Sequence, residues 1–154
     1  MEKAPQFSID ALYIPRATAV RRYDAEGVAH YEALTHSDKP TGVEVLDALA
    51  RTLSTGRGHE VVLAQFGISA KDLGAVCRVM LGMQLNEVER EVRFRLADDL
   101  LRYTNLQLGE VARRAGMHTC TQLCKMYRRR VKCSPTEYRK RIRKERDVGR
   151  YKFS

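Results

Sequence analysis

Five cations fall within eight residues of this chain: Lys125, Arg128, Arg129, Arg130 and Lys132. Thr121, Gln122 and Cys124 stand just before them. On a helix, residues three and four apart are neighbours. Thr121, Cys124, Lys125 and Arg128 therefore share a face, with Gln122 on its flank. A hydroxyl and an ammonium among guanidinium groups suit hydrogen bonding to a polyanion and neutralising its charge. Metal chemistry is the other option here, because Cys120 and Cys124 lie one turn apart and His118 is near. Zinc needs three or four ligands at compatible positions. The four cysteines, Cys77, Cys120, Cys124 and Cys133, form no CxxC pair. They read as small buried or half-buried thiols, with no metal and no cofactor expected. His30, His36, His59 and His118 are isolated in sequence. No nucleophile–base pair or carboxylate pair is evident, so enzymatic chemistry is not expected.

The charge of the whole chain supports the polyanion reading. The 154 residues carry a net charge of +9. Residues 1–40 and 41–105 are each close to neutral, whereas residues 106–154 hold 15 Lys or Arg against 4 Asp or Glu. A third of the chain that is this basic attracts a polyanion, the alternative being a solvated, solubilising face with no partner. No long apolar run is present and the first residues carry no apolar signal core, so the expected location is cytoplasmic, without a membrane segment or disulfides.

The elements that hold these residues read as helices. Residues 17–34 are expected as a helix interrupted by Gly27, after an irregular start broken by Pro5 and Pro15. Residues 35–42, THSDKPTG, read as a linker. From Val43 the apolar spacing is helical throughout, and seven helices are expected. Leu46, Leu49 and Leu53 mark the first, and Val62 and Phe66 a short second that ends at Gly67. Ser69 caps the third, with Asp72 at its third position and Leu73, Val76, Cys77 and Met80 on its buried face. A long helix over residues 86–102 repeats Val88, Val92, Leu96 and Leu100. A short helix over 107–115 ends at Gly116, and Thr119 caps a helix over 120–130 whose core residues are Leu123, Met126 and Tyr127. The last helix opens with Ser134 as cap, Pro135 at the first helical position and Glu137 at the third.

Two segments of this pattern repeat at an offset of 50 residues. Ser69 pairs with Thr119, Leu73 with Leu123, Val76 with Met126, Cys77 with Tyr127 and Leu81 with Val131. Each copy runs short helix, Gly, turn, Ser/Thr cap, longer helix. That is a duplicated helix-turn-helix, in which the second helix of each pair enters a major groove and the first braces it. The helix between the copies is a rigid spacer. The organisation expected is an N-terminal extension and linker (1–40), a first helix-turn-helix module (43–84), a linker helix (85–104), a second module (105–143) and a basic tail (144–154). The fold class is all-α.

Residues 43–143 resemble the DNA-binding region of the AraC/XylS family of bacterial transcription regulators. Gly116, Met117, Leu123, Tyr127, Arg128, Ser134, Pro135, Tyr138 and Arg139 carry the likeness in the second module. Arg93, Ala97, Leu100 and Leu101 carry it in the linker helix. The resemblance implies base reading by Cys120, Thr121, Cys124 and Lys125, and by Lys71, Gly74 and Ala75 in the first module. Arg78, Arg128, Arg129, Arg130, Lys132 and Arg139 are expected on phosphates. The amides at the start of the last helix are a further phosphate site. The first module departs from the pattern: Gly74 and Ala75 stand where the family places larger polar side chains, and Met83-Gln84 replaces a Ser-Pro-like pair. The implied function is that of a double-stranded-DNA-binding regulator, an activator with RNA polymerase as a further partner, similar to the small stand-alone members. Self-association is assigned to residues 1–40. The competing reading is a protein-interaction module derived from such a regulator.

Overall fold

The computed structural model describes residues 6–34 and 41–154. The expected linker at 35–40, together with His36 and Pro5, lies outside the described residues.

Among the described residues seven α-helices form as the apolar periodicity predicts: α1 (Glu44–Ser54), α2 (Glu60–Phe66), α3 (Ala70–Leu81), α4 (Leu85–Tyr103), α5 (Leu108–Arg114), α6 (Cys120–Val131) and α7 (Pro135–Ile142). The 50-residue repeat holds residue by residue. Both α3 and α6 have 12 residues and start one position after their caps. The Ser69 hydroxyl accepts from the Asp72 amide, and the Thr119 hydroxyl accepts from the Gln122 amide. Ser134 does the same for Glu137, with Pro135 in the first turn. The repeat extends to the caps that end α3 and α6. Gly82 is left-handed at φ 67°, and its counterpart Lys132 adopts φ 64° without being glycine.

The α4 helix is the spine. Val88, Val92, Leu96, Ala97, Leu100 and Leu101 are buried along it, and it packs against α1, α3, α5 and α7. Leu73 and Cys77 of α3 and Leu123 and Tyr127 of α6 are all fully buried, as the repeat predicts. Burial pushes the Cys77 thiol up to about 11, so it is a neutral core group. The Tyr127 ring stacks between Phe94 of α4 and Tyr138 of α7, with centroids 5.2 and 5.1 Å away. This aromatic set ties α6 and α7 to the spine.

Two glycines allow the modules to meet. Gly56 follows α1 and Gly116 follows α5, both with φ above +80° or at it. A Cβ on Gly56 would lie 2.5 Å from the Arg114 carbonyl oxygen, and one on Gly116 would lie 2.8 Å from that of Gly56. Backbone therefore packs on backbone where the first module's loop touches the second module's turn.

Residues 17–34 differ from the expectation. They form an antiparallel hairpin, β1 (Ala17–Tyr23) and β2 (Ala29–Ala33), rather than a helix. The cause is the turn. Gly27 takes φ +82°, and the Asp24 carboxylate accepts from the amides of Glu26 and Val28 at 2.9 Å each. An Asx turn closed by a left-handed glycine reverses the chain. The basic tail contributes a further strand, β3 (Tyr151–Phe153), and the sheet order is β2-β1-β3. Ahead of the hairpin, a short 3-10 helix (Ile9–Leu12) buries Leu12 and packs on α1 and α4. This stretch straps the modules to the spine. The Phe7 amide donates to the Met80 carbonyl at 2.9 Å, the Ile14 amide donates to Ser54 Oγ at 2.9 Å, and Asp10 pairs with Arg95 of α4 at 2.7 Å. Tyr13 donates to Asp99 of α4.

Candidate nucleic-acid interface

The buried side of α6 fixes what its other side presents. With Leu123 and Tyr127 in the core, Thr121, Gln122, Lys125, Arg128, Arg129 and Arg130 are exposed. Cys120 and Cys124 are half-buried at the edge of this face, with their sulfurs 4.0 Å apart. Among the described residues no group of three or more His, Cys, Asp or Glu is arranged to hold a metal. Gln122 is tied to the cap, because its side-chain carbonyl accepts from the His118 amide at 2.8 Å. Thr121 and Lys125 are thus the exposed polar groups on the N-terminal half of α6 that local bonding does not occupy.

The cations divide into two sets. Arg128 and Arg129 have no ion-pair partner among the described residues. The Lys132 ammonium donates to the Arg129 carbonyl at 3.0 Å at the helix end. Arg130 was expected on phosphate, but its guanidinium pairs with Glu91 of α4 at 2.6 Å and lies 3.8 Å over the Phe94 ring. It fastens α6 to the spine. Arg139 was also expected on phosphate. Its Nε and Nη2 instead donate to the carbonyls of Leu101 and Leu106, each at 2.9 Å. Arg143 lies beside it, donating to the Leu101 carbonyl at 2.8 Å and the Arg102 carbonyl at 3.2 Å, and also to the Thr104 carbonyl. Two guanidinium groups so close-set cap carbonyls that the end of α4 leaves without helical partners. Burial, with Arg143 adjacent, lowers the Arg139 pKa from its ordinary value.

A groove runs between α4 and α6. Lys125, Met126 and Arg129 line it from one side, and Glu87, Arg90 and Arg93 from the other. Arg90 and Arg93 belong to the helix expected only as a rigid spacer, yet they reach this groove. Their signal was available: at i and i+3 they share one face of α4. Behind the groove, Asp98 of α4 sits under Tyr127 and Tyr138. Burial raises its carboxyl above the usual 3.8, against the opposing effect of both tyrosine hydroxyls. Burial and the Asp98 contact push Tyr138 up to about 12.

In the first module, Lys71 and Arg78 of α3 are exposed, as expected. Gly74 is buried rather than presented to solvent. A Cβ there would lie 3.7 Å from Arg78 Nη1, so the arginine side chain runs over it. Ala75 is half-buried, and Asp72 is held in a reciprocal capping box with Ser69. A second, shallower depression lies beside α3, lined by Lys71, Arg78, Gln84 and Asn86. Its floor is anchored by Glu89, which accepts from the His59 amide at 2.9 Å and pairs with the His59 ring at 2.6 Å. Val79 is 71% exposed on the same helix.

Two helix-turn-helix units set on one shared helix, each with a capped second helix turned outward, define a DNA-binding architecture. The family model described as "Helix-turn-helix domain" matches residues 62–141, and the chain belongs to this family, as a DNA-binding domain of the AraC/XylS type. A relative, the HTH-type transcriptional activator RhaR of Enterobacter sp. (strain 638), is 30% identical over 115 residues. That match covers 70% of this chain, and the chain spans 41% of the relative's length. Among solved structures, the DNA-binding domain of AdpA, a global transcriptional factor crystallised with a target DNA, aligns with a TM-score of 0.58 at 25% identity, covering 69% of this chain and 96% of that one. The C-terminal domain of the response regulator yesN from Fusobacterium nucleatum has a TM-score of 0.56 at 16% identity, covering 62% of this chain and 94% of its own, a likeness of fold. Among the described residues no helix is long and apolar enough to cross a membrane.

Proposed function

We propose that this chain binds double-stranded DNA sequence-specifically in transcription regulation, with the second module as the main base reader. Thr121 and Lys125 hydrogen-bond to base edges, and Cys120 and Cys124 bring small, weakly polar surface against them. Arg128, Arg129 and Lys132 neutralise phosphates, and Arg90 joins them from across the groove. Lys71 and Arg78 add phosphate contacts from the first module, whose reading surface is reduced by the buried Gly74 and the small Ala75. The observation that carries this reading is the face of α6: Leu123 and Tyr127 are fully buried on one side while Thr121, Lys125, Arg128 and Arg129 are exposed on the other. The regulator acts as an activator in the cytoplasm, and the exposed Val79 of the first module supports a protein contact there, with RNA polymerase as the partner.

Selection of bound sequences from a random duplex pool tests the reading. One motif spanning little more than a single major-groove segment is expected. Recovery of random sequence would support the adaptor reading, and absence of duplex binding at low salt would overturn both DNA roles.

A further inference from the structure

The hairpin leaves a sheet edge open. In the order β2-β1-β3, no strand lies on the far side of β2 among the described residues. All five residues of β2 are exposed. Three of the four exposed large hydrophobic residues among those described, Tyr23, Val28 and Tyr31, lie on this hairpin. Native edges are usually blunted by Pro, Lys or a bulge. The β2 sequence, AHYEA, has neither residue, and its pairing with β1 is in continuous register. The strand is also held firmly from behind. The Tyr31 hydroxyl donates to the Gly149 carbonyl at 2.6 Å, and Lys152 of β3 lies 4.4 Å over its ring.

The phase of the β1–β2 ladder tells which groups point outward. The Leu34 amide donates to the Thr18 carbonyl, and the Asp24 amide donates to the Val28 carbonyl. Residues of β2 with even numbers therefore face β1. In an antiparallel ladder, bonded and non-bonded pairs alternate, so Ala29, Tyr31 and Ala33 turn their N–H and C=O groups to the open edge.

We propose that this edge pairs with the same edge of a second copy, antiparallel about a two-fold axis through Tyr31. Only registers that match outward groups with outward groups make bonds. Centring on His30 sets the two copies of His30 against each other and leaves Ala33 beyond the pairing. Centring on Glu32 opposes two carboxylates. Centring on Tyr31 pairs Tyr31 with itself and Ala29 with Ala33, using every outward group of the strand. The same register sets each His30 opposite the other copy's Glu32, on the face where Arg22 and His30 already pair with Glu32 at 3.6 and 3.2 Å. The edge is complementary to itself in both hydrogen bonds and charge, which a two-fold interface requires. The expected self-association through residues 1–40 is thereby narrowed to one strand. The inference does not depend on how the helices read DNA, and its test contains no DNA.

Sedimentation of the full chain over a concentration series, up to the millimolar range, reads the dimer directly. The native chain should dimerise. Glu32→Lys should be monomeric over the same range, because it sets Lys against His30. The double variant His30→Glu, Glu32→Lys restores opposite charges across the axis and should dimerise again. Ala33→Pro, which removes an outward N–H that no described residue accepts from, should weaken the dimer while keeping the helical content of the native chain. A native chain that stays monomeric overturns the proposal. So does a dimer indifferent to Glu32→Lys, or one that the double variant fails to restore.

Discussion

Cations adjacent in sequence do different work here, and only geometry separates them. Arg129 faces solvent while Arg130 is held between Glu91 and Phe94. Arg130→Ala should lower stability and leave the salt dependence of duplex binding unchanged. Arg129→Ala should leave stability unchanged and reduce the slope of log affinity against log salt by about 1. Chemical unfolding and salt titration of the two variants check this, and equal slopes for both would contradict it. Lys132 is a second residue-scale case, since its left-handed conformation repeats that of Gly82. A non-glycine residue there costs about 1 kcal/mol. Lys132→Gly should raise the unfolding midpoint while weakening duplex binding, measured by thermal unfolding and titration. Asp98 sets a pH dependence. Unfolded, it titrates near 3.8, and burial raises it in the fold. Between those values the folded state holds a proton that the unfolded state has released, so the residue's contribution to stability falls as pH rises through that window. Asp98→Asn keeps an acceptor for Tyr127 and removes the buried charge. Its effect on urea unfolding relative to the native chain should be more favourable at neutral pH than at about pH 4, and an equal effect at both would contradict the burial argument.

At the scale of elements, α4 does more than separate the two modules. Its carbonyl end is capped by Arg139 of α7 and by Arg143 just after it, and its middle carries Asp98 and Phe94 beneath α6. The contact of Gly56 with Gly116 adds a direct joint between modules. Gly116→Ala combines a strained left-handed residue with a close carbonyl and should cost about 2 kcal/mol or more. Urea unfolding checks it, and a variant as stable as the native chain would contradict the close approach. The helices were legible because their signals are local. Apolar spacing, Ser or Thr caps and terminal glycines all lie within a few residues, and the duplication let one copy vouch for the other. The hairpin was not legible in that way. Its alanines and charged residues fit a helix as well as a strand, and the partner strand β3 lies more than a hundred residues away. The roles of Arg130 and Arg139 escaped for the same reason, since their partners Glu91 and Leu101 are 39 and 38 positions distant. The family resemblance places Gly74 on the reading face. Its burial follows from the Arg78 side chain lying over it, which no spacing rule conveys.

Taken whole, the molecule sets the two second helices of its modules on one spine, and the C-terminal one carries more exposed cations than the other: Lys125, Arg128 and Arg129 without an ion pair among the described residues, against Lys71 and Arg78. The straps from Phe7, Asp10, Tyr13 and Ile14 hold the N-terminal segment against α1, α3 and α4, so the hairpin is an attached part of the domain. Base reading by α6 is the claim from which the regulatory role follows. Lys125→Ala, assayed against the selected site and a scrambled duplex at the same salt concentration, tests that claim most directly. The ratio of the two affinities should fall by one to two powers of ten, corresponding to about 1–3 kcal/mol for a base contact, while binding to the scrambled duplex changes little. An unchanged ratio with equal weakening on both duplexes would mean that Lys125 meets phosphate and that α6 is not the reader.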